Sequence, residues 1–577
     1  MTESSPFSVI HSDGSEIRLL VLLPSEKDAP IHCRLETASL SSNPDYDVLS
    51  YAWSCPSKYE EITLDDTPFR VPEPLAAVLR RLRLRSKPRR VWIDAVCIIQ
   101  QDHAEKEQQV LLLPRIYSQA RRVYVWLGES TIGTRTAGAP VLEQSLGVPQ
   151  GSPRLSIVQE ALLAKYLIFI CGPEKLTWES MGRALKASSK KLEEGEMQSF
   201  AEIFCLISRL RQRRSDGQGI LSPFELLYKS RRLECENPRD RIYGFLGLAP
   251  SVLEAGVVPT YDTSVSTAQV YTDFARKMIQ HSERLDILNC VREWRGSGVT
   301  VATTANEMDG LPSWAPNWAG RTANDPEPLL DWSDVSSRYC AGRLMEARIK
   351  QNEDPKTLVL NGIRFDEVAE LGIPWHPEVD IPPPSRNGIE ALEQWEALAL
   401  AAPLSCPYGG DAGRKAALWR TYIADFAGDR SAPKHHSAFM ECWYGRASWP
   451  YGFSSPADIE LHDARPRNLF RVVKDALSLT RHGRTEYTTY ARRAYAACAH
   501  RRLLVSKRGY IGLAPWNAQP GDVVAVLYGG STPFLFRPGS TPGVYSLVGE
   551  CFVYGIMAGE ALAWEHAIAA AREFRIV

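Results

Sequence analysis

The chain has 577 residues, 44% of them hydrophobic and 23% charged, and a formal net charge of −1. Its length exceeds one simple core and fits about three or four folding units. A near-neutral chain of ordinary composition gives no electrostatic case for binding nucleic acid or an anionic membrane.

Other bulk features narrow the class. Residues 19–23 are too short to span a bilayer, and residues 157–171 are interrupted by Glu160 and Lys165. The N-terminus lacks a basic start followed by an apolar run, so no signal peptide is expected. The 12 cysteines are scattered without a Cys-x-x-Cys pair. That pattern argues against a zinc ribbon or a disulfide scaffold and predicts a reducing, cytoplasmic setting. Fifteen tryptophans supply many aromatic anchors.

In chain order, residues 16–23 and 32–36 read as strands. Tyr46-Asp-Val-Leu-Ser-Tyr-Ala-Trp53 is the first of three short apolar runs. The others are Arg90-Val-Trp-Ile-Asp-Ala-Val-Cys97 and Val123-Tyr-Val-Trp-Leu-Gly128. Each is rich in β-branched and aromatic side chains and reads as a buried strand. Between the first two, residues 61–64 and 69–71 flank Asp65-Asp66 as a hairpin. Pro74 then opens a helix with Leu75, Val78, Leu79 and Leu82 on one face. Between the second and third runs, residues 102–120 read as a helix whose apolar face holds Val110, Leu113, Ile116, Tyr117 and Ala120. Asp102 and Glu105 fit a capping box, and Pro114 predicts a kink. Strands separated by helices predict a mostly parallel sheet, with ligands beyond the strands' carboxyl ends. Ser50, Tyr51, Trp53, Asp94, Cys97 and Gln100 stand there.

The stretch from Arg80 to Arg90 is strongly basic. It reads either as an anion patch or as a solvated helix end that suits the helix dipole. Residues 130–155 read as a linker, and 156–232 as helical. Asn237 and Pro238 suit an N-cap and the first helical position. Residues 376–388 mark a Pro-rich boundary, and 389–500 read as mostly helical. From Gly509 onward, short strands punctuated by Gly529-Gly530 and Pro538-Gly539 predict a β-meander. The expected units are residues 1–130, 131–260, 261–388, 389–500 and 501–577. The expected class is α+β: an α/β N-terminal domain, a helical middle and a β-rich end.

No GxGxxG, GxxxxGK[ST] or GxSxG motif is present. His435, His436 and Cys442 lack a fourth metal ligand. Asp94 could bind a ligand or accept loop amides. Cys97 reads as a nucleophile or, more simply, as a small buried residue. Arg239 and Asp240 read as a pair or helix anchor, with anion binding by Arg239 as the other reading.

The phrases Leu49-Ser-Tyr-Ala-Trp53, Trp92-Ile-Asp-Ala-Val-Cys97-Ile-Ile-Gln100, Glu105 with Gln108-Gln109-Val110, Ile116-Tyr117, Ala120 and Val125-Trp-Leu-Gly128 resemble the fungal heterokaryon-incompatibility (HET) domain. Ser54, Ile99 and Leu113 stand where that family usually has Gly, Asn and Met. Residues 237–248 and the C-terminal tail also resemble segments of full-length HET proteins. This resemblance implies non-self recognition and programmed cell death. HET domains resemble TIR domains distantly, and several TIR domains cleave NAD with a glutamate placed comparably to Glu105. The implied site is catalytic Glu105 and Asp94, with Ser50, Tyr51, Trp53, Cys97, Gln100, Asp102 and Arg239 binding NAD as substrate. A carboxylate beside the ribose would stabilise its developing positive charge. Tyr51 or Trp53 would stack on a base, and the helix start at Asp102 would hold phosphate. Against this stands Glu105 as half of a capping box only. Two further readings are a non-catalytic module that assembles with a protein partner or a second copy, and a recruited small-molecule enzyme of secondary metabolism.

Overall fold

In the computed structural model, residues 14–26, 28–51, 58–128, 155–188, 196–216, 222–231, 233, 235–292, 308–319, 328–329, 339–342, 345–350, 353–375, 386–401, 406–425, 493–563 and 571–577 are described. The chain divides into two units, Met1–Val270 and Tyr271–Val577.

The first unit is built on nine strands: β1 (Glu16–Leu22), β2 (His32–Ser39), β3 (Asp47–Tyr51), β4 (Tyr59–Leu64), β5 (Thr67–Pro72), β6 (Arg89–Trp92), β7 (Val123–Trp126), β8 (Leu167–Cys171) and β9 (Glu174–Thr177). Their order across the sheet is β5-β4-β2-β1-β6-β3-β7-β8-β9. The three apolar runs supply its centre, since β3 pairs in parallel with both β6 and β7. β7 with β8 and β2 with β4 are also parallel. The other four pairings, β1 with β2 and with β6, β4 with β5, and β8 with β9, are antiparallel. The sheet is therefore mixed, not mostly parallel, and it lends no support to a TIR-like architecture. Only the centre has helical crossovers. On the flanks β1–β2, β4–β5 and β8–β9 are neighbours in sequence joined by short connections, which can link only antiparallel strands.

Local chemistry explains several elements. The β4–β5 turn has Asp65 and Asp66 at φ 45° and 62°, the left-handed pair that a two-residue hairpin requires. Helix α1 (Glu73–Leu82) buries Leu75, Val78, Leu79 and Leu82, as its spacing predicts. Arg80 pairs with Glu60, Arg90 lies 3.0 Å from Glu36, and Arg83 donates to the carbonyls of Pro30 (2.7 Å) and Ala29 (2.9 Å). The basic stretch is thus widely engaged within the fold. The run from Arg90 to Cys97 is not one strand. β6 ends at Trp92, and Asp94–Cys97 forms a helical turn, α2, whose first amides are met by Asp94 Oδ1 (Ala95, 2.8 Å) and the Ile93 carbonyl. The region read as helical, 156–232, does hold the helices Ser156–Leu163, Trp178–Ser188, Glu196–Ser215 and Pro223–Lys229. It also holds β8 and β9. β8 joins β7 because its short apolar run is cut off by Gly172, at φ 51°.

The second unit contains β10 (Leu358–Leu371), β11 (Arg501–Ser506), β12 (Ile511–Pro515), β13 (Val523–Leu527), β14 (Phe534–Pro538), β15 (Val544–Glu550), β16 (Phe552–Val553) and β17 (Ala571–Ile576). β13, β14 and β15 form the expected meander. β10 turns it into a barrel. It pairs with β17 through residues 358–363 and with β13 through 362–367, and register shifts bend it on toward β11. Phe365, Val524, Val526, Leu535 and Val548 form part of one core. Helices Arg386–Ala401 and Asp411–Tyr422 supply Trp395, Trp419 and Tyr422 to a second core, with Leu503 and Leu513. His435, His436 and Cys442 lie outside the described residues.

One charge organises this second unit. Glu550, 1% exposed, accepts from Arg292 (2.6 Å), Arg501 (3.1 Å), Asn289 (2.6 Å) and the Leu329 amide (2.9 Å). Removing one member of a buried ion pair strands the other charge in a low-dielectric interior. Glu550→Gln is therefore expected to destabilise this unit by about 3–5 kcal/mol, read by urea unfolding. A loss under about 1 kcal/mol would show that the carboxylate is not its anchor.

Candidate functional site

Of the strand-end residues, Asp94, Cys97 and Gln100 lie on the turn between β6 and helix α3 (His103–Gln119). Asp102 caps α3, its Oδ1 accepting the Glu105 amide at 3.1 Å. The reverse half of the expected capping box is not made, because the Asp102 amide donates to the Ile99 carbonyl. Glu105 instead turns inward to Arg18. The Arg18 guanidinium donates to Glu105 Oε1 at 2.6 Å and to Oε2 at 2.8 Å, and the Ile99 amide adds a third bond to Oε1 at 2.8 Å. Arg18 also reaches the Cys97 carbonyl at 3.3 Å. The Arg18 and Glu105 side chains are only 1% and 11% exposed. A two-pronged guanidinium–carboxylate pair at this depth is strong and directional. It fixes the first turn of α3 against β1, and Gln109 adds a bond to the Glu16 carbonyl at 2.9 Å.

Gln100, half-buried, donates to the Asp94 carbonyl at 2.9 Å. Asp94 is half-buried. Cys97 is fully buried, and burial pushes its thiol up to about 12. It is protonated at neutral pH, the state of a structural cysteine rather than a nucleophile. Ser50 is half-buried and Tyr51 is 8% exposed at the end of β3. Trp53 lies outside the described residues. Arg239 is held elsewhere, donating to the carbonyls of Thr260 (3.1 Å), Asp262 (2.9 Å) and Val265. Behind Asp94, the Tyr117 hydroxyl donates to Glu160 at 3.3 Å. Burial first, then the Glu160 and Asp94 charges, push that hydroxyl well above its ordinary range.

Arg18 escaped the sequence reading. Its one local signal is a lone charge inside the apolar run from Ile17 to Leu22. Among the described residues, no group of three or more His, Cys, Asp or Glu is placed to hold a metal, and no helix is long and apolar enough to cross a membrane.

The family described as Heterokaryon incompatibility protein (HET) matches residues 46–154, and the Het-6 beta-barrel domain matches residues 404–574. The chain thus carries a segment that matches the HET domain, followed by one that matches the Het-6 barrel. Over almost its whole length it is similar to heterokaryon incompatibility protein 6, OR allele, of Neurospora crassa. The two are 27% identical over 665 aligned positions, covering 96% of this chain and 95% of that one. No solved structure matches the chain.

The buried thiols set a pH limit on the first unit. Cys33 and Cys97 are both raised by burial from 9.0 to about 12. Their contribution is whole below pH 9.0, where folded and unfolded thiols are both protonated. It falls between 9.0 and about 12, where only the unfolded chain ionises. Denaturant titrations across this range are expected to show stability falling, and Cys33→Ala/Cys97→Ala to fall less steeply. Equal slopes would contradict this account.

Proposed function

We propose that this protein acts in fungal non-self recognition leading to programmed cell death. In this reading its HET unit signals by assembly with a protein partner or a second copy, in the cytoplasm, rather than by turning over a nucleotide. The matches to the HET and Het-6 barrel segments and the full-length similarity to a Neurospora crassa heterokaryon incompatibility protein support the recognition role. The state of Glu105 supports the assembly mode. Both its oxygens already accept hydrogen bonds, three in all, from Arg18 and the Ile99 amide. A carboxylate meant to meet a developing ribose cation works best when aimed at the substrate. This one is aimed into the protein, and Cys97 beside it is buried and protonated.

NAD cleavage at Glu105 is the competing outcome. The test is NAD consumption by the purified full-length protein, alone and with extract from an incompatible strain. The expected result is no consumption above that of the extract alone. Turnover by the protein that disappears in a folded Glu105→Gln variant would overturn the assembly reading and make Glu105 catalytic.

A further inference from the structure

The first turns of α3 are gripped from a second direction. Glu105 takes Arg18, but the next two residues take a segment far along the chain. Glu107 Oε1 accepts the Tyr261 amide at 2.6 Å, and Lys106 Nζ lies 4.2 Å from the centre of the Tyr261 ring. The Tyr261 hydroxyl donates to Asp240, and the ring meets Tyr243 edge-on at 5.7 Å. Arg239 gathers the carbonyls of Thr260, Asp262 and Val265, fixing the loop that presents Tyr261. Further along α3, Gly247 lies so close to Pro114 that a Cβ would fall 1.8 Å from its ring. Residues 237–262 therefore form a strap along α3, although the HET family match ends at residue 154.

The way this strap is held matters. Val258 and Leu253 are 65% and 43% exposed, whereas Ile242, Tyr243, Phe245, Leu246 and Val252 are buried and anchor the body of the strap. Its hold on the first turn of α3 is polar, through Tyr261, Glu107, Lys106 and Asp240. Asp240 is half-buried, and desolvation raises its carboxyl pKa. Contacts of this kind open locally at free energies below that of global unfolding.

We propose that residues 237–262 are a built-in restraint on the HET unit: Tyr261 holds the first turn of α3 at rest, and its release from Glu107 and Asp240 switches the unit into its signalling form. The proposal rests on the signalling role proposed above. It places the control of that role outside the matched HET segment, on a hydroxyl and an amide of one residue.

Tyr261→Phe in the full-length chain tests it. The variant keeps the ring against Tyr243 and Lys106 and deletes the donor to Asp240. Amide hydrogen exchange is expected to quicken about tenfold or more over residues 103–110 and 258–262, as loss of a hydrogen bond to a charged group implies, with the melting temperature of the second unit unchanged. In a fungal host the variant is expected to trigger the incompatibility reaction without a non-self partner. Unchanged exchange would overturn the proposal. So would quickened exchange with a reaction that still needs the partner or is lost, since the strap would then be merely structural. Should Tyr261→Phe not fold, Glu107→Ala removes the acceptor of the Tyr261 amide and is judged by the same two readouts. If the unaltered protein reacts with no strain, the recognition role fails, while the exchange readout still judges the restraint.

Discussion

The buried pair of Arg18 and Glu105 is the constraint on which the first unit turns. It joins β1 to the first turn of α3 and draws in the Cys97 carbonyl and the Ile99 amide. Without it, the turn carrying Asp94, Cys97 and Gln100 would lose its charged link to the strand beneath it. A buried ion pair contributes less to net stability than to fixing one arrangement over others. Here that arrangement is the register of α3 on the sheet. A second pair frames the other end of the central strands. Asp47, fully buried at the start of β3, is held by Arg121 at 2.8 and 3.0 Å.

Both family-matched segments depend on residues outside the match. The HET segment begins at residue 46, yet Arg18 precedes it and the residues gripping Lys106 and Glu107 follow it. The barrel segment begins at residue 404, yet β10 closes the barrel and Asn289 and Arg292 bond its buried Glu550. In each unit a carboxylate inside the matched segment is satisfied by arginine or amide donors from outside it. The working module is therefore larger than the recognisable one. This is why a motif reading gave Glu105 a capping partner and missed Arg18.

Elements set by local periodicity were legible in the sequence. The three central strands, the hairpin at Asp65-Asp66, the buried face of α1 and the cap at Asp102 each follow from spacing within a few residues. What depends on distant pairing was not. The partner of Glu105 lies 87 residues away and leaves only one odd charge in an apolar run. β8 was lost in a longer apolar stretch that reads as helix, because strand and helix are alike to hydropathy alone when both are buried. The strand at Arg90 was drawn too long because a helical turn opens at Asp94 inside the same apolar run. The antiparallel flanks of the sheet depend on which strands become neighbours, which no local pattern records. Closure of the barrel by β10 depends on the same kind of distant pairing.

The most direct test of this account is a double-mutant cycle on Arg18→Met and Glu105→Leu, with unfolding free energies measured by urea. If Glu105 is an anchor clamped by Arg18, each single variant strands a buried charge and the double variant relieves it. The expected coupling is about 2–3 kcal/mol. A coupling near zero, with Glu105→Leu as stable as the unaltered protein, would contradict the account and return Glu105 to the role of a free carboxylate.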